Sequence, residues 1–548
     1  MTTATVADRP VTPAPLPPAP PARRFRSRAP ASLAAVSLVV AAAFAGPLVY
    51  LVVRTAQEGG APEVLRSETA LGPLTRTLLL AATTAVACAL LGTTLAWLVM
   101  RTDLPLRRLF RVLVALPLVI PSFVGALALI AAFARGGLLD ELFGFDALPP
   151  VRGYWAAFAT LTLLSYPYVY LPVAARLSAL PPSLEETGRS LGRSPAQVFR
   201  SLVLPQATGA IAAGALLVFL YVISDFGAVS LLRYDTLTVR IESARLFDPP
   251  TALALGLLLA VVALVVVMSE RGLSRRRVNT EAVAAGRRPL QAPLGVWKAP
   301  ALALVVGVVG IALVAPVAVL AQWTLRGLGE DRAARGVEWS DLWQPLLNTG
   351  GIAVVTAVVA VAVVLPVAYL TTRHQSRVGA VANALVVAGF ALPGLVIALA
   401  VVFWVLRAPL VGGLYQTFPL LVFAYVVHFG AQAMRASQVA VSGVPRRLGD
   451  AARSLGSGRW RRLRTVDLPL MLPGLGAGAG LVLLSTMKEL PATLLLAPTG
   501  FDTLATRIWS ATESAYFARA GLSALALVAL SGVLTWLLTI RRLERLDA

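Results

Sequence analysis

The chain has 548 residues, of which 57% are hydrophobic and 14% are charged, and its mean hydropathy is +0.77. A soluble domain has about 45–50% apolar and about 25% charged residues, so the composition excludes a water-soluble enzyme of this length and indicates a membrane protein. Lysine and arginine outnumber aspartate and glutamate by 48 to 27.

Several chemical functions are excluded by the scarce cysteine, histidine and lysine. Cys88, His374 and His428 are too few for a disulfide framework, a thiolate metal site or a multi-histidine haem or copper site. Lys298 and Lys488 are the two lysines, and neither lies in a G-x-x-x-x-G-K-[ST] phosphate loop. We therefore predict no catalytic residue, no metal site and no cofactor bound by this chain, and any ATP that drives it must be bound by another subunit.

Along the chain, residues 1–31 are rich in Pro and Arg and predict a disordered cytoplasmic tail. Twelve apolar stretches follow, each near the roughly 20 residues that a helix needs to cross a bilayer. They lie near 32–53, 75–100, 111–134, 153–175, 205–232, 250–268, 300–325, 348–372, 379–406, 413–434, 470–497 and 518–540. The sequence thus predicts an all-α integral membrane protein with about 12 transmembrane helices.

The basic residues predict the orientation of these spans, because cytoplasmic loops are enriched in Lys and Arg. With the amino terminus inside, the segments assigned to the cytoplasm hold 33 of the 48 basic residues. Both termini are therefore predicted to be cytoplasmic. The excess of positive charge is explained by topology and by the lipid bilayer with its anionic headgroups, so nucleic acid is not expected as a partner.

The sequence also contains an internal repeat. Residues 77–101 and 349–373 are apolar spans of equal length that begin with Thr and end with Arg, and Arg-Ser-Leu-Gly occurs at 189–192 and again at 453–456. Equivalent points are separated by six spans, an even number, which predicts two parallel six-helix repeats. We assign the first repeat to residues 32–268, a basic cytoplasmic linker to 269–299 and the second repeat to 300–548.

A motif occurs once in each repeat, before the fifth span. The first copy reads ETGRSLG from Glu186 to Gly192 and is followed, after nine residues, by LVLP ending at Pro205. The second reads DAARSLG from Asp450 to Gly456 and ends in VDLP at Pro469. The elements in common are an acid, small residues, a glycine and a Leu-Pro pair. They comprise Glu186, Gly188, Gly192, Leu204 and Pro205, and Asp450, Ala451, Ala452, Gly456, Leu468 and Pro469.

Each element of the motif has a physical reason. Glycine adopts positive φ without steric cost, so it can join two short helices in a compact elbow. Small residues allow another protein to approach the first helix, and Leu-Pro suits the first turn of the next membrane helix.

The paired motif resembles the EAA loop of permease subunits of binding-protein-dependent ABC importers. The resemblance covers essentially residues 70–540 and implies the type I importer fold in a multi-pass protein of the bacterial cell membrane. It also implies two copies of an ABC ATPase, which use ATP and Mg, on the loops around 183–204 and 447–468, and an extracytoplasmic substrate-binding protein. The copies differ from each other and from the family, since Thr187 and Gly188 replace two alanines and Asp450 replaces glutamate, so we expect the ATPase to be held unequally.

Residues after each loop resemble ferric-iron permeases with two fused halves. They read ISDFGAVSLL at 223–232, KELPATLLL at 488–496 and GFDTLA at 500–505. Ferric iron is thus the expected substrate, with thiamine, polyamine, sulfate and molybdate as alternatives in the same class. An ion-coupled secondary transporter is the alternative from another class, although it gives no reason for the paired loops.

Asp225, Lys488 and Glu489 are candidate gate or pathway residues, because charges within membrane spans are costly and commonly functional. The alternative for Asp225 and Glu489 is interfacial placement or a pairing that holds the two halves together. Since Glu489 points about 100° away from Lys488 around a helix, we expect Lys488 to meet Asp225 across the pseudo-two-fold axis.

Overall fold

The computed structural model describes residues 30–59, 61–144, 150–180, 182–275, 291–329, 340–374, 376–389, 392–408, 411–535 and 537. Residues 1–29 of the predicted tail, 276–290 of the predicted linker and 538–548 at the carboxyl end lie outside the described residues. Within the described ranges the chain is helical, and the extended structure is one isolated bridge between Thr102 and Ala292. The all-α prediction is confirmed.

The first half contains fourteen α-helices within the described residues. They are α1 Ala31–Glu58, α2 Ala61–Arg66, α3 Glu68–Arg101, α4 Arg107–Leu113, α5 Ser122–Phe133, α6 Leu138–Phe143, α7 Tyr154–Ser165, α8 Pro167–Ala179, α9 Pro182–Ser190, α10 Pro195–Val198, α11 Leu204–Ser224, α12 Gly227–Leu231, α13 Leu237–Phe247 and α14 Pro249–Arg275.

The second half contains twelve more within the same described ranges. They are α15 Lys298–Val309, α16 Ala315–Gly329, α17 Ser340–Tyr369, α18 Arg377–Gly389, α19 Gly394–Arg407, α20 Phe418–Gly443, α21 Arg446–Ser454, α22 Arg459–Arg462, α23 Leu468–Met487, α24 Pro491–Leu496, α25 Leu504–Glu513 and α26 Phe517–Thr535.

By length and composition, ten helices or helix runs in the described part of the chain could cross a membrane. The number is 11 if α18 and α19, which are bent by 105°, form one broken span. Helix α20, with 26 residues, occupies the predicted span 413–434 but is not among these candidates, so the described residues give ten or eleven candidate spans where about twelve were predicted. Its middle carries His428, Gln432 and Arg435, which lower its apolarity.

Several predicted spans are each divided into two helices. The predicted span 379–406 consists of α18 and α19 at a steep angle, and Pro393 immediately precedes α19. The predicted spans 205–232 and 470–497 each contain a long helix and a short one, with breaks at Asp225 and at Lys488–Leu490. Pro393 and Pro491 favour two of these interruptions, because proline cannot donate a backbone hydrogen bond inside a helix.

The same hydrogen bonds occur in both halves and confirm the internal repeat. Thr77 Oγ1 donates to the Pro73 carbonyl at 2.7 Å and accepts from the Leu237 amide at 2.9 Å. Thr349 Oγ1 donates to the Pro345 carbonyl at 2.7 Å and accepts from the Leu504 amide at 2.8 Å. Each threonine thus joins the start of a long helix to a shorter helix late in its own half.

Each half is also packed into the other. Helix α1 of the first half contacts α17, α18 and α19 of the second, and α16 of the second half contacts α5 of the first. The α26 helix contacts the 3₁₀ turn Leu116–Val119. The two repeats therefore share one buried interface.

The described end of the inter-repeat linker is attached to the end of α3. The Ala292 amide donates to the Arg101 carbonyl at 2.8 Å, and the Asp103 amide donates to the Ala292 carbonyl at 3.3 Å. Lys298 Nζ lies 2.8 Å from an Asp103 carboxylate oxygen. The hydrogen bond from Lys298 holds the pKa of the Asp103 carboxyl below its ordinary value, so this acid stays charged at neutral pH.

Candidate functional site

The two motif loops have the same backbone. The first helix of each loop, α9 or α21, ends in a Schellman motif, in which a glycine with positive φ closes the helix by two hydrogen bonds. Gly192 has φ of 78° and Gly456 has φ of 76°. The Gly192 amide donates to the Arg189 carbonyl at 2.9 Å and the Arg193 amide to the Gly188 carbonyl at 3.2 Å.

The second loop repeats this pair of bonds. The Gly456 amide donates to the Arg453 carbonyl at 3.0 Å, and the Ser457 amide donates to the Ala452 carbonyl at 2.9 Å. Short helices α10 and α22 follow the two elbows. The elbow that the sequence predicts is therefore present in both halves.

The outer surface of each elbow carries an acid and a leucine. Glu186 and Asp450 are exposed, and the side chains of Leu191 and Leu455 are 73% and 85% exposed. Both leucines lie between candidate spans, so lipid does not account for their exposure. Asp450 pairs with Arg453 of its own helix.

The small residues divide between two roles, and one part of the expectation is wrong. Gly188 is buried, and a Cβ there would lie 2.9 Å from Leu202 Cδ1 and 3.0 Å from Val198 Cγ2. Ala452 is 9% exposed. These two residues are small because the rest of the loop packs on them, whereas Ala451 is exposed and is open to another protein. Successive helical residues point about 100° apart, so neighbouring small residues cannot share one face.

The Leu-Pro pairs lie a few residues inside the next candidate membrane spans, Phe199–Ser224 and Trp460–Met487. Leu204 and Pro205 form the first turn of α11, and Leu468 and Pro469 form the first turn of α23. A five-residue π-helical turn precedes each, at Phe199–Val203 and Leu463–Asp467. The helix is continuous through each turn, since the Leu204 amide donates to the Phe199 carbonyl and the Leu468 amide to the Leu463 carbonyl. Proline has no amide hydrogen, so each proline removes one bond from this helical run.

Asp225 lies at the break between α11 and α12 and is 7% exposed. Its Oδ1 accepts hydrogen bonds from the amides of Ala228 at 3.0 Å and Val229 at 3.3 Å, and Ser122 Oγ donates to its Oδ2. Thr238 Oγ1 donates to its backbone carbonyl at 2.7 Å. The carboxylate thus caps the short helix α12.

Glu489 takes the equivalent place between α23 and α24. Its Oε1 accepts from the Ala492 amide at 3.2 Å, and its backbone carbonyl accepts from Thr493 Oγ1 at 2.7 Å. His428 Nε2 lies 3.9 Å from Oε2. Gly394 stands where the first half has Ser122, and a Cβ on it would lie 2.6 Å from Glu489 Oε1. The longer acid therefore fills the space that the serine side chain occupies in the first half.

Lys488 does not meet Asp225, so the predicted pair is wrong for this conformation. Lys488 Nζ donates to the Leu118 carbonyl of the first half at 3.0 Å. Leu118 belongs to the 3₁₀ turn Leu116–Val119, and the Asp225 carboxylate is already bound to Ser122 and two amides. Lys488 still links the two halves, through a backbone oxygen.

The breaks of the two halves meet at their common interface. A Cβ on Gly227 would lie 2.8 Å from Phe123 Cβ and 3.3 Å from Leu490 Cδ2. The rings of Phe226 and Trp509, one from each half, have centroids 5.4 Å apart. The candidate gate residues are thus grouped around a tightly packed crossing of the halves.

Sequence reasoning missed Ser122, Gly394 and His428. An alignment of the two repeats would have placed Pro121-Ser122 opposite Pro393-Gly394, which is the signal that could have identified the first two. Among the described residues no group of three or more His, Cys, Asp or Glu is placed to hold a metal ion.

Comparison with known proteins agrees with this geometry. The sequence matches the family described as binding-protein-dependent transport system inner membrane component twice, over residues 88–279 and 362–545. An Fe(3+)-transport system permease protein of Haemophilus influenzae is 30% identical over 498 residues, which are 90% of this chain and 94% of that protein.

Two further relatives match part of the chain. A molybdenum transport system permease protein of Mycobacterium tuberculosis is 32% identical over 194 residues, 34% of this chain and 74% of that protein. A sulfate transport system permease protein of Escherichia coli is 30% identical over 244 residues, 42% of this chain and 86% of that protein. With two family matches over most of its length, the chain belongs to the inner membrane components of binding-protein-dependent transport systems, as a permease of the ABC importer class with two fused repeats.

Proposed function

We propose that this permease imports ferric iron, which an extracytoplasmic binding protein delivers, and that two copies of an ABC ATPase bind the loops around 183–204 and 447–468. The observation that carries the proposal is the pair of elbows with matching glycine conformations and hydrogen bonds, each presenting an exposed leucine. Burial of an exposed leucine side chain in a partner protein would stabilise the complex by about 1.5–3 kcal/mol. Two such sites suit two copies of one partner.

The ATPase supplies the chemistry that this chain lacks. With no phosphate loop in its sequence, the permease depends on ATP and Mg bound by the partner. Closure of two ATPase subunits would move both elbows together, and the tight crossing of the halves near Gly227 and Leu490 would transmit that motion to the membrane breaks.

The breaks supply the proposed gate. Asp225, Lys488 and Glu489 lie where the halves meet, and Lys488 bonds across the interface to the Leu118 carbonyl. Separation of the halves would break this bond and expose the three side chains to the pathway. The substrate must bind the two conformations unequally, since a ligand with equal affinity for both shifts nothing.

Ferric iron is favoured by the length of the match. The ferric relative matches the fused two-repeat chain nearly end to end, whereas the molybdenum and sulfate relatives match 34% and 42% of it. We extend the assignment to the topology, with both termini in the cytoplasm, a first repeat at 32–268, a linker at 269–299 and a second repeat at 300–548. The concentration of Arg in the loops of one side supports this orientation.

The test is uptake by proteoliposomes that contain the permease, its ATPase and its binding protein, with radiolabelled ferric iron. We expect uptake that requires ATP in the compartment facing the loops and that stops without the ATPase. Uptake of molybdate, sulfate, thiamine or a polyamine in place of iron would overturn the substrate. Uptake driven by a proton gradient without ATP would overturn the importer and favour a secondary transporter.

A further inference from the structure

Each coupling loop is attached to the membrane helices by an arginine at the end of a long helical span. Arg101, the last residue of α3, is 2% exposed, and its Nη2 donates to the carbonyls of Leu177 and Leu180. Leu180 directly follows α8, and α9 of the first loop begins two residues later. The last carbonyls of a helix have no intrahelical donor and attract a cation, so the arginine fixes the turn between membrane helix and loop.

The second half has the same arrangement. Arg373 Nη2 donates to the Val441 carbonyl at 2.9 Å and to the Val444 carbonyl at 2.7 Å. Val444 follows α20, and α21 of the second loop begins two residues later. The arginine at the end of each repeat's apolar span therefore binds the same two positions at the end of another helix.

In the first half an acid of the coupling helix also contacts the arginine. Arg101 Nη1 lies 2.5 Å from Glu185 Oε1, and these side chains are 3% and 10% exposed. Glu185 belongs to α9, so this ion pair joins the coupling helix itself to α3. Glu185 and Gly449 both lie seven residues before the elbow glycine, so the second loop has glycine in this place.

The inter-repeat linker adds a second attachment beside the first loop. The Ala292 amide binds the backbone carbonyl of Arg101 at 2.8 Å. A cavity of about 20 Å³ lies beside this contact. Its lining includes Arg101 at the end of α3, Glu185 of the first loop and Ala292 of the linker. The first loop, the end of α3 and the linker thus form one packed unit.

We propose that Arg101 and Arg373 are positioning residues that attach the two coupling loops to the membrane helices, and that Glu185 makes the first loop the more firmly attached of the two. The inference rests on the proposed binding of the ATPase to these loops. Arg101 and Glu185 are buried, so they act through the position of α9. A firmly attached loop passes the motion of the ATPase to the membrane helices without lag, and a loosely attached one loses part of it.

The first test is hydrogen–deuterium exchange of the full permease in detergent or nanodisc, which needs no ATPase. In the wild type we expect residues 185–193 to exchange more slowly than residues 449–457. Glu185→Gln keeps the shape but removes the charge, and we expect it to speed exchange in the first loop by roughly tenfold, because local opening free energies set exchange rates. The second loop should not change.

Arg101→Lys tests the geometry. Lysine keeps the charge but has no planar guanidinium to bind a carboxylate and carbonyls together. The first loop should therefore exchange faster in this variant than in the wild type, as in Glu185→Gln. Glu242→Gln is the matched control, because Glu242 pairs with Arg245 at 2.7 Å on α13, away from the loops. Unchanged exchange rates in Glu185→Gln and Arg101→Lys, or an equal increase in exchange rate throughout the molecule, would overturn the proposal.

The second test measures the ATP hydrolysed per substrate transported in proteoliposomes with the ATPase and binding protein. For Glu185→Gln we expect normal ATPase association and hydrolysis with several-fold less transport, so the ratio rises. An unchanged ratio would contradict the transmitting role. If the wild type failed to bind the ATPase, the proposed function would fail, while the exchange result would still decide the attachment.

Discussion

The two halves share a backbone plan but differ in the polar contacts placed on it. The first half has Glu185 on Arg101 and Ser122 on Asp225. The second half has Gly449 and Gly394 in those places, with Glu489 extending into the space opposite Gly394. The two halves thus share the contacts that shape the elbows and the turns. They differ in the polar side-chain contacts that hold these elements to their neighbours.

The largest effect is expected from removing the two arginines that hold the coupling loops. Arg101→Met removes the donor from the Leu177 and Leu180 carbonyls and in addition leaves Glu185 buried without its partner, which by itself costs about 3–5 kcal/mol. Arg373→Met removes donors from two carbonyls, and each unpaired carbonyl costs about 1–3 kcal/mol, but it leaves no carboxylate stranded at Gly449. The midpoint temperature of thermal unfolding should therefore fall further in Arg101→Met than in Arg373→Met. Arg101→Met combined with Glu185→Gln should recover most of the loss, and equal losses in the two halves would contradict the comparison.

The membrane breaks provide the next comparison. Gly394→Ser places a side chain within 2.6 Å of Glu489 Oε1, and such overpacking costs about 1–3 kcal/mol. Adding Glu489→Asp recreates the serine and aspartate of the first half and should restore thermal stability. If Gly394→Ser alone were harmless, or if the added Glu489→Asp worsened it, the compensation between the two positions would be disproved.

The elbow glycines are expected to respond alike. A left-handed conformation costs an L-residue about 1–2 kcal/mol, and more for a β-branched side chain, so Gly192→Val and Gly456→Val should each weaken ATPase association about tenfold. Nothing lies within 4 Å of a Cβ at either site, so the backbone alone is responsible. Asn, which tolerates positive φ, is the control and should bind nearly normally. Full binding by both valine variants would show that the elbow is not needed.

The elbows, the repeat and the helical fold were predictable because they depend on spacing within each half and on residue types with strong local preferences, such as Gly456 and Pro469. Contacts between distant residues were not. Nothing in the spacing brings Glu185 to Arg101, or Lys488 to the Leu118 carbonyl rather than to Asp225. The same limit explains the inward packing of Gly188, since the motif alone does not show which face of a short helix its own loop covers.

The smallest effect is expected from giving the second loop an acid at the position of Glu185. Gly449→Glu introduces a Cβ whose nearest neighbour is Arg462 Cδ at 3.7 Å, so the side chain fits. We expect hydrogen exchange in the second loop to slow two- to fivefold, roughly the effect of a partly exposed ion pair. Gly449→Gln is the uncharged control. Faster exchange in Gly449→Glu than in Gly449→Gln would contradict the explanation of the asymmetry.

Cross-linking at the elbow leucines is the most direct test of the central claim, that both loops bind an ATPase. Cys88 is the one cysteine in the sequence and is buried, so Cys88→Ala gives a background in which Leu191→Cys and Leu455→Cys can each be labelled alone with a short photoreactive cross-linker. In the assembled complex we expect each position to cross-link to an ATPase subunit, and the yield to change when ATP is added. An ATPase that assembles with the permease and transports substrate, yet cross-links to neither position, would contradict the account.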